Sequence, residues 1–179
     1  MPQPTLLTPR LSLRPFEHAD GPRVQRLAGD WKIADTTALM PHPYPDGAAE
    51  AWIASLPAGF EARTSATFAV TLRADGSLIG ATGLRIEATH ARADLGYWIG
   101  VPFWGQGYAT EAARALVDYG FRSLLLNRIQ AEYFVRNPAS GRVLAKVGMV
   151  PEGIHREYHR KWDVFEDVAV CAVLARDWR

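Results

Sequence analysis

The most constraining feature of the sequence is a strand-like segment that leads through two glycines into a helix. Residues 94–101 have strand character, Gly105-Gln106-Gly107 follows, and apolar residues at helical spacing begin directly behind the glycines. Such a junction presents unpaired backbone N–H groups at the positive end of a helix dipole. The segment therefore predicts an anion site that suits a phosphate group.

The residues alone leave the ligand of this site open among the nucleotides. A P-loop needs a Gly-Lys-Ser/Thr ending, which is absent, and a dinucleotide fingerprint needs a third glycine where Thr110 stands. A dinucleotide site also needs a βαβ unit, whereas this strand follows a hairpin. The alternative interpretation of Gly105 and Gly107 is a tight structural turn that holds no ligand.

The pattern along the rest of the chain predicts an α/β domain with a mixed sheet. Alternating apolar residues predict further strands over 11–15, 67–73, 78–87, 128–135, 150–160 and 162–174. Two or three short helices are expected between residues 17 and 56, with a proline-rich loop over 41–47. A later helix is expected to begin at an Asn137 cap followed by Pro138 and to end at Gly148.

Composition excludes several classes of function and suggests one compartment. The 179 residues fit a single domain over 1–179, and 20 basic against 19 acidic residues give a net charge of +1. That balance argues against nucleic acid and an anionic membrane as partners. The lone cysteine, Cys171, allows no internal disulfide and no zinc-type cluster, so we expect no metal. No long apolar stretch indicates a signal peptide or a membrane helix, and we expect a cytoplasmic protein.

Several segments together resemble the GNAT superfamily, and within it the RimJ/RimL branch of ribosomal-protein alanine N-acetyltransferase-like enzymes. The segments are Leu95-Gly96-Tyr97-Trp98-Ile99, residues 104–112, the opening Thr8 to Pro15, Asn137-Pro138-Ala139-Ser140, Lys146-Val147-Gly148-Met149, Glu152-Gly153 and Asp167-Val168. They cover most of the chain in order. The resemblance implies the acyl-CoA N-acyltransferase fold, an α/β (α+β) architecture whose central mixed, mostly antiparallel sheet of about seven strands is flanked by helices.

The resemblance also implies an activity and a set of cofactor contacts. It implies transfer of an acetyl group from acetyl-CoA to a primary amine, with strand four holding the pantetheine arm and the glycine loop holding the pyrophosphate. The cofactor-binding residues implied here are Ile99, Gly100, Val101, Trp104, Gly105, Gln106, Gly107, Tyr108, Ala109, Thr110, Asn137, Ser140 and Lys146. Trp104 stands where the superfamily consensus has Gln or Arg, as it does in the RimJ/RimL branch. Arg142 is a further candidate for the phosphates.

Catalytic roles follow from the same resemblance. Ser140, in the first turn of the later helix, is the candidate proton donor to the departing thiolate. Asp94, Glu157 and His159 are the candidate bases, although members that acetylate ribosomal proteins have a glutamate near the position of His159. Aromatic candidates for contact with the acceptor are Trp31, Tyr97, Trp98 and Tyr158.

Three alternatives stay open at this point. The donor is acetyl-CoA or another acyl-CoA such as succinyl-CoA, for which Arg136 or Arg156 would supply a cation. A second alternative is that the chain is a non-catalytic CoA-binding module. The acceptor is a protein N-terminus or a small molecule such as a polyamine, an amino-sugar antibiotic or a peptide-like toxin. We expect direct transfer, because Cys171 has the pattern of a core residue, and the exposed edges of the last strands allow a homodimer.

Overall fold

Eight strands and five helices make up the computed structural model, which describes residues 2–178. The strands are β1 (Leu6–Leu7), β2 (Leu11–Arg14), β3 (Ser65–Leu72), β4 (Leu78–Glu87), β5 (Arg92–Ile99), β6 (Arg128–Phe134), β7 (Val150–Lys161) and β8 (Val164–Leu174). The helices are α1 (Gly21–Ala28), α2 (Trp31–Thr36), α3 (Ala48–Glu61), α4 (Tyr108–Arg122) and α5 (Pro138–Val147). Met1 and Arg179, the ends of the expected domain, lie outside the described residues.

All eight strands belong to one sheet in the order β1-β2-β3-β4-β5-β6-β8-β7. Every neighbouring pair is antiparallel except β5 and β6, which are parallel. The predicted mixed sheet is confirmed with one strand more than the seven expected. The extra strand is β1, where Leu6 pairs with Leu13 ahead of the first predicted strand.

Helices cover the two faces of the sheet because its strands alternate their buried side chains. Phe68 and Val70 point into the core beneath α4, which also contains Leu116, whereas Ala69 packs with Val24 of α1. Helix α3 joins α1 on that second face through Ile53. Strands β3 and β4, which form a hairpin, therefore each contribute side chains to both cores.

The parallel pair β5–β6 is paired over three residues only, Arg92–Asp94 with Arg128–Gln130. Beyond that point β5 continues to Ile99 and β6 to Phe134 without pairing to each other. In the antiparallel β4–β5 ladder the N–H of Gly100 donates to the carbonyl of Ile79 (2.8 Å), so Ile99, one residue earlier, turns its N–H and C=O away from β4. The two strands diverge and leave an open wedge in the sheet.

Element boundaries differ from the sequence predictions at two places. Strand β5 ends at Ile99, because residues 101–103 form a 3-10 turn that contains Pro102. Helix α3 runs through Pro57 to Glu61, five residues beyond the predicted limit, since Pro57 is exposed and water can solvate the carbonyl it leaves unpaired. The other predicted strands and helices and the loop over 41–47 lie within a few residues of their expected bounds.

Among residues 2–178, no helix combines the length and the apolar character that crossing a membrane requires.

Candidate functional site

The wedge between β5 and β6 opens into two adjoining clefts. The first, here called the loop cleft, has a volume of about 420 Å³ and lies between the end of β5, the glycine loop and helices α4 and α5. The second, here called the aromatic cleft, has a volume of about 810 Å³ and lies over strands β3 to β6 beside the β7–β8 hairpin. The residues that line both clefts are Thr36, Thr37, Tyr97, Trp98 and Ser140.

The floor of the loop cleft is the glycine loop, the strand-to-helix segment around Gly105 and Gly107 that predicts an anion site. Gly105 and Gly107 both adopt positive φ angles, 74° and 81°, and helix α4 begins at the next residue, Tyr108. Within the described part of the chain, none of the backbone N–H groups of residues 105–110 donates a hydrogen bond. Six unpaired N–H groups at a helix N-terminus form a strong site for an anion.

Most of the predicted cofactor residues border the loop cleft. Ile99, Trp104, Gly105, Gly107, Tyr108, Ala109, Thr110, Asn137, Ser140 and Lys146 line it, and so does Arg142. Asn137 also caps α5 by accepting a hydrogen bond from the N–H of Ser140 (3.4 Å). The indole N–H of Trp104 donates to the carbonyl of Ile99, which fixes the end of β5 to the start of the glycine loop.

Three predicted cofactor residues do not line this cleft. The N–H of Gly100 donates to Ile79, and its carbonyl accepts from Phe103 (2.9 Å) within the 3-10 turn. The carbonyl of Val101 accepts from Trp104 (3.2 Å) in the same turn. Gln106 faces away from the cleft, with its carbonyl bound to Arg10 (2.9 Å). The β4–β5 ladder and the 3-10 turn thus use both backbone groups of Gly100, whereas the N–H of Val101 donates no hydrogen bond among the described residues and stays available to a ligand.

Ser140 lies where the two clefts meet, and it is paired with a tyrosine. The hydroxyls of Ser140 and Tyr97 are 2.7 Å apart, and the Tyr97 hydroxyl also lies 3.3 Å from the Ser140 carbonyl. Burial raises the pKa of Tyr97 to about 12, with an opposing effect of its hydrogen bond to Ser140. At neutral pH the tyrosine therefore keeps its proton and can support the serine as a donor. No pattern in the sequence predicts this pairing, because the two residues are 43 positions apart in the chain.

The aromatic cleft brings together two of the three predicted bases. Asp94 lines it, but its carboxylate accepts hydrogen bonds from Gln130 (2.7 Å) and from Arg85 (3.0 Å), so its charge is already compensated. His159 lines it as well, with Nε2 3.8 Å from a carboxylate oxygen of Glu132. Glu132, which the sequence analysis did not name, has no Lys or Arg partner among the described residues.

Glu157, the third predicted base, borders neither cleft. It occupies an irregular stretch of β7 with a φ angle of 51°, and its N–H donates to the Asp167 carboxylate (2.8 Å). The irregularity shifts the register between His155 and His159, so the side-chain direction along β7 does not follow simple alternation. Its position outside both clefts gives the prediction of Glu157 as a base no support.

Aromatic and apolar side chains form the walls of the aromatic cleft. Three of the predicted acceptor contacts, Tyr97, Trp98 and Tyr158, are among them. Trp31 is not, because it stacks on Trp162 with ring centres 4.8 Å apart. Further lining residues are Leu39, Met40, Trp52, Leu56, Tyr133 and Phe134.

Cys171 is a core residue, as its pattern predicted. It is buried between β6 and β7, with its sulfur 3.5 Å from the Ala131 carbonyl, and it lines neither cleft. Burial raises the pKa of its thiol to about 11. Of residues 2–178, no group of three or more His, Cys, Asp or Glu side chains is arranged to hold a metal ion.

Comparisons with known proteins match this geometry. The model of the acetyltransferase (GNAT) domain family matches residues 10–150. An uncharacterized N-acetyltransferase p20 of Bacillus licheniformis is 31% identical over 177 residues, 97% of this chain and 98% of that protein. The uS5-alanine N-acetyltransferase of Escherichia coli is 34% identical over 84 residues, 47% of this chain and 43% of that enzyme.

Solved structures share the whole architecture. RimJ of Mycobacterium smegmatis, solved in complex with CoA-disulfide, has a TM-score of 0.83 at 25% identity, over 93% of this chain and 82% of that chain. A probable acetyltransferase has a TM-score of 0.88 at 26% identity, over 97% and 98% of the two chains.

Proposed function

Because the chain belongs to the GNAT acetyltransferase family, we propose that it moves an acetyl group from acetyl-CoA directly to a primary amine. The observation that carries the proposal is the union of the two clefts at Ser140. One cleft offers an anion site to a phosphorylated donor, and the other offers an aromatic pocket with a carboxylate to an amine. The reaction is thus expected to occur where the thioester end of the donor reaches the amine.

Donor binding is assigned to the loop cleft. The unpaired N–H groups of residues 105–110 would donate hydrogen bonds to the diphosphate, and Arg142 and Lys146, one turn apart on α5, would add positive charge. The backbone groups that β5 turns toward the wedge would bond the amides of the pantetheine arm. Ser140, at the inner end of this path, would then lie beside the sulfur.

The size of the acyl group is expected to be that of acetyl. A succinyl group would need a cation for its carboxylate, and Arg136 was a candidate. Its guanidinium instead donates to Asp35 (2.9 Å) and to Glu166 (2.8 Å), so its charge is compensated. Arg156, the other candidate, borders neither cleft.

Glu132 and His159 are proposed as the groups that remove a proton from the incoming ammonium. An α-amine, with a pKa near 8, requires ~1.4 kcal/mol for deprotonation at pH 7, whereas a lysine-like amine near 10.4 requires ~4.6 kcal/mol. A weak base with an ion-pair partner suffices for the first. Glu132 would also hold the cation before its deprotonation, because it is not neutralised by Lys or Arg among the described residues.

The chemical step then needs a proton donor on the other side of the thioester. The free amine attacks the carbonyl carbon, the C–S bond breaks, and the thiolate of CoA takes a proton. Ser140 would supply that proton while it takes the proton of the Tyr97 hydroxyl 2.7 Å away, and Tyr97 would regain its proton from solvent. The intact Ser140–Tyr97 pair argues against a non-catalytic CoA-binding module.

Direct transfer needs no acyl-enzyme intermediate. Cys171 is buried, lies outside both clefts and has a thiol whose pKa is raised to about 11, so it offers no thiolate near the donor. A free thiol also suits the reducing cytoplasm, where we place the protein.

The acceptor is proposed to be an amine attached to an apolar or aromatic group, either at a protein N-terminus or on a small molecule. The walls of the aromatic cleft are mostly apolar, and Arg85 and Asp94 compensate each other. A polyamine with several charges would therefore find one carboxylate there without a Lys or Arg partner among the described residues, that of Glu132 beside His159. The similarity to an enzyme named for an alanine of protein uS5 favours the N-terminus among these acceptors.

The test measures thiol release from acetyl-CoA with a panel of amines. The panel contains a short peptide with a free N-terminus, the same peptide with a blocked N-terminus and a free lysine, and spermidine. We expect release with the free N-terminus, and stabilisation against heating by acetyl-CoA of ~2.7 kcal/mol at 100 times Kd. Stabilisation by ATP or NAD instead would overturn the donor, and binding without release from any amine would favour the CoA-binding module.

A further inference from the structure

Arg10, at the N-terminal end of the sheet, reaches the back of the glycine loop. It immediately precedes β2, and its Nη1 donates to the carbonyl of Gln106 (2.9 Å). Its Nε donates to Glu111 in the first turn of α4 (2.6 Å), and its guanidinium lies 4.6 Å from the centre of the Tyr108 ring. One side chain thus contacts the loop, the start of the helix and the ring between them.

The contact with the Gln106 carbonyl has a geometric consequence for the next residue. In a trans peptide the C=O and the following N–H point in opposite directions. The carbonyl of Gln106 points out of the cleft toward Arg10, so the N–H of Gly107 points the other way, toward the loop cleft that Gly107 lines. Arg10 therefore fixes the direction of one of the six unpaired N–H groups.

Glu111 is the other partner of Arg10, and its charge matters to any anion at the loop. Its carboxylate accepts hydrogen bonds from the Thr8 hydroxyl (2.7 Å), the Arg10 N–H (2.8 Å) and the Arg10 guanidinium. Burial opposes ionisation of Glu111, but these hydrogen bonds and the Arg10 charge hold its pKa below the ordinary value. The carboxylate stays ionised and compensated, so it repels a bound diphosphate less than a bare charge would.

From these contacts we infer that Arg10 is a positioning residue for the donor: it orients the Gln106–Gly107 peptide toward the diphosphate and neutralises Glu111 beneath it. The inference rests on the proposed function, because it assigns the loop cleft to acetyl-CoA. Arg10 itself does not line that cleft, so it acts through the loop and not by touching the cofactor.

The test compares CoA binding by the wild type, Arg10→Ala, Arg10→Lys and Arg73→Ala, using titration calorimetry. Arg73 is the matched control, since its guanidinium donates to the Thr8 carbonyl (2.9 Å) near the same turn but does not reach the loop. We expect Arg10→Ala to raise the Kd for CoA about tenfold, the loss of one charge-assisted hydrogen bond. Arg73→Ala should stay within about twofold.

The Arg10→Lys variant distinguishes the positive charge of Arg10 from its role in orienting the Gln106–Gly107 peptide. Lysine keeps a positive charge near Glu111 but lacks the fork that bonds Glu111 and Gln106 together. We expect its Kd for CoA to rise at least about threefold, with a melting temperature near that of the wild type. Wild-type affinity in Arg10→Lys would overturn the orienting role.

Steady-state kinetics adds a readout that general loss of structure would not reproduce. We expect the KM for acetyl-CoA to rise in both Arg10 variants, while kcat and the KM for the amine stay within about twofold. An equal rise in the KM for the amine would overturn the inference. Failure of the wild type to bind CoA would instead overturn the proposed function, so the two failures are distinguishable.

Discussion

The loop cleft and the aromatic cleft adjoin each other but are built in different ways. The loop cleft depends chiefly on backbone N–H groups from one short segment, residues 105–110, and on the helix that follows. The aromatic cleft depends on side chains that come from α2, α3, the strands β3 to β6 and the β7–β8 hairpin. The first construction suits the diphosphate of the proposed donor, and the second suits an acceptor that is recognised through side-chain contacts.

This contrast predicts where substitutions act and how strongly. Side-chain changes in the aromatic cleft should remove chemistry and leave donor binding intact. Backbone changes in the loop should weaken donor binding and leave the chemistry of bound donor intact. Ser140 lines both clefts, and its substitution should have the smallest effect because the thiolate leaves with little help.

The largest effect is expected from Glu132→Gln. The change keeps the shape of the side chain but removes the carboxylate that holds and deprotonates the amine, so kcat should fall about 100-fold. The Kd for CoA should not change, because Glu132 does not line the loop cleft. Glu87→Gln, at the exposed end of β4, is the control and should retain wild-type kcat. Unchanged kcat in Glu132→Gln beside a large loss in His159→Ala would assign the base to His159 alone.

A smaller effect is expected from Gly107→Ala. Gly107 has a φ of 81°, where alanine is strained, and an added Cβ would lie 3.4 Å from the Arg10 guanidinium that contacts the loop. We expect kcat/KM for acetyl-CoA to fall about 30-fold, in the range of 1–3 kcal/mol for local backbone strain. Gly76→Ala is the matched control.

Gly76 has a similar φ of 73° in the β3–β4 turn, with nothing within 4 Å of an added Cβ. Both variants should lose about 1 kcal/mol of unfolding free energy because alanine is strained at positive φ, as urea denaturation would show. Only Gly107→Ala should lose affinity for CoA. Equal losses of affinity in the two variants would mean that the glycine loop is a structural turn.

The smallest effect is expected from Ser140→Ala, about tenfold in kcat at pH 7. The loss is modest because a thiolate, whose conjugate acid has a pKa near 8.5, leaves without much help. The defect should shrink as the pH rises above ~8.5, where the thiolate needs no proton. A pH profile of kcat for both proteins measures this, and a defect that is constant with pH would contradict the role of Ser140 as acid.

The same contrast explains how much could be predicted from the sequence. The loop cleft is built from two motifs that are each local in the chain: the two glycines with the helix directly behind them, and the Asn137 cap followed by Pro138. Both motifs border this cleft. The misplaced end of β5 is local as well, because Pro102 marks a turn that the strand pattern had been extended across.

The aromatic cleft could not be predicted as well because it depends on contacts between distant segments. Alternation along β6 places Glu132 on the other face of the sheet from Ile129 and Ala131. It does not reveal that β5 diverges from β6 after three residue pairs. Glu157 was chosen by position, and the irregular register of β7 places it elsewhere. The partners of Asp94, Arg85 and Gln130, come from two other strands.

The short parallel contact between β5 and β6 has a mechanical consequence. Only three residue pairs join β1–β5 to the unit of β6, β8 and β7 within the sheet, and the wedge beyond them contains no strand pairing. Widening the wedge would therefore break no ladder hydrogen bond, since beyond this short contact the two parts of the sheet are joined by the packing of α4 and not by strand pairing. We expect an acetylated product, bulkier than the amine that entered, to leave through a wider wedge without the unfolding of any strand.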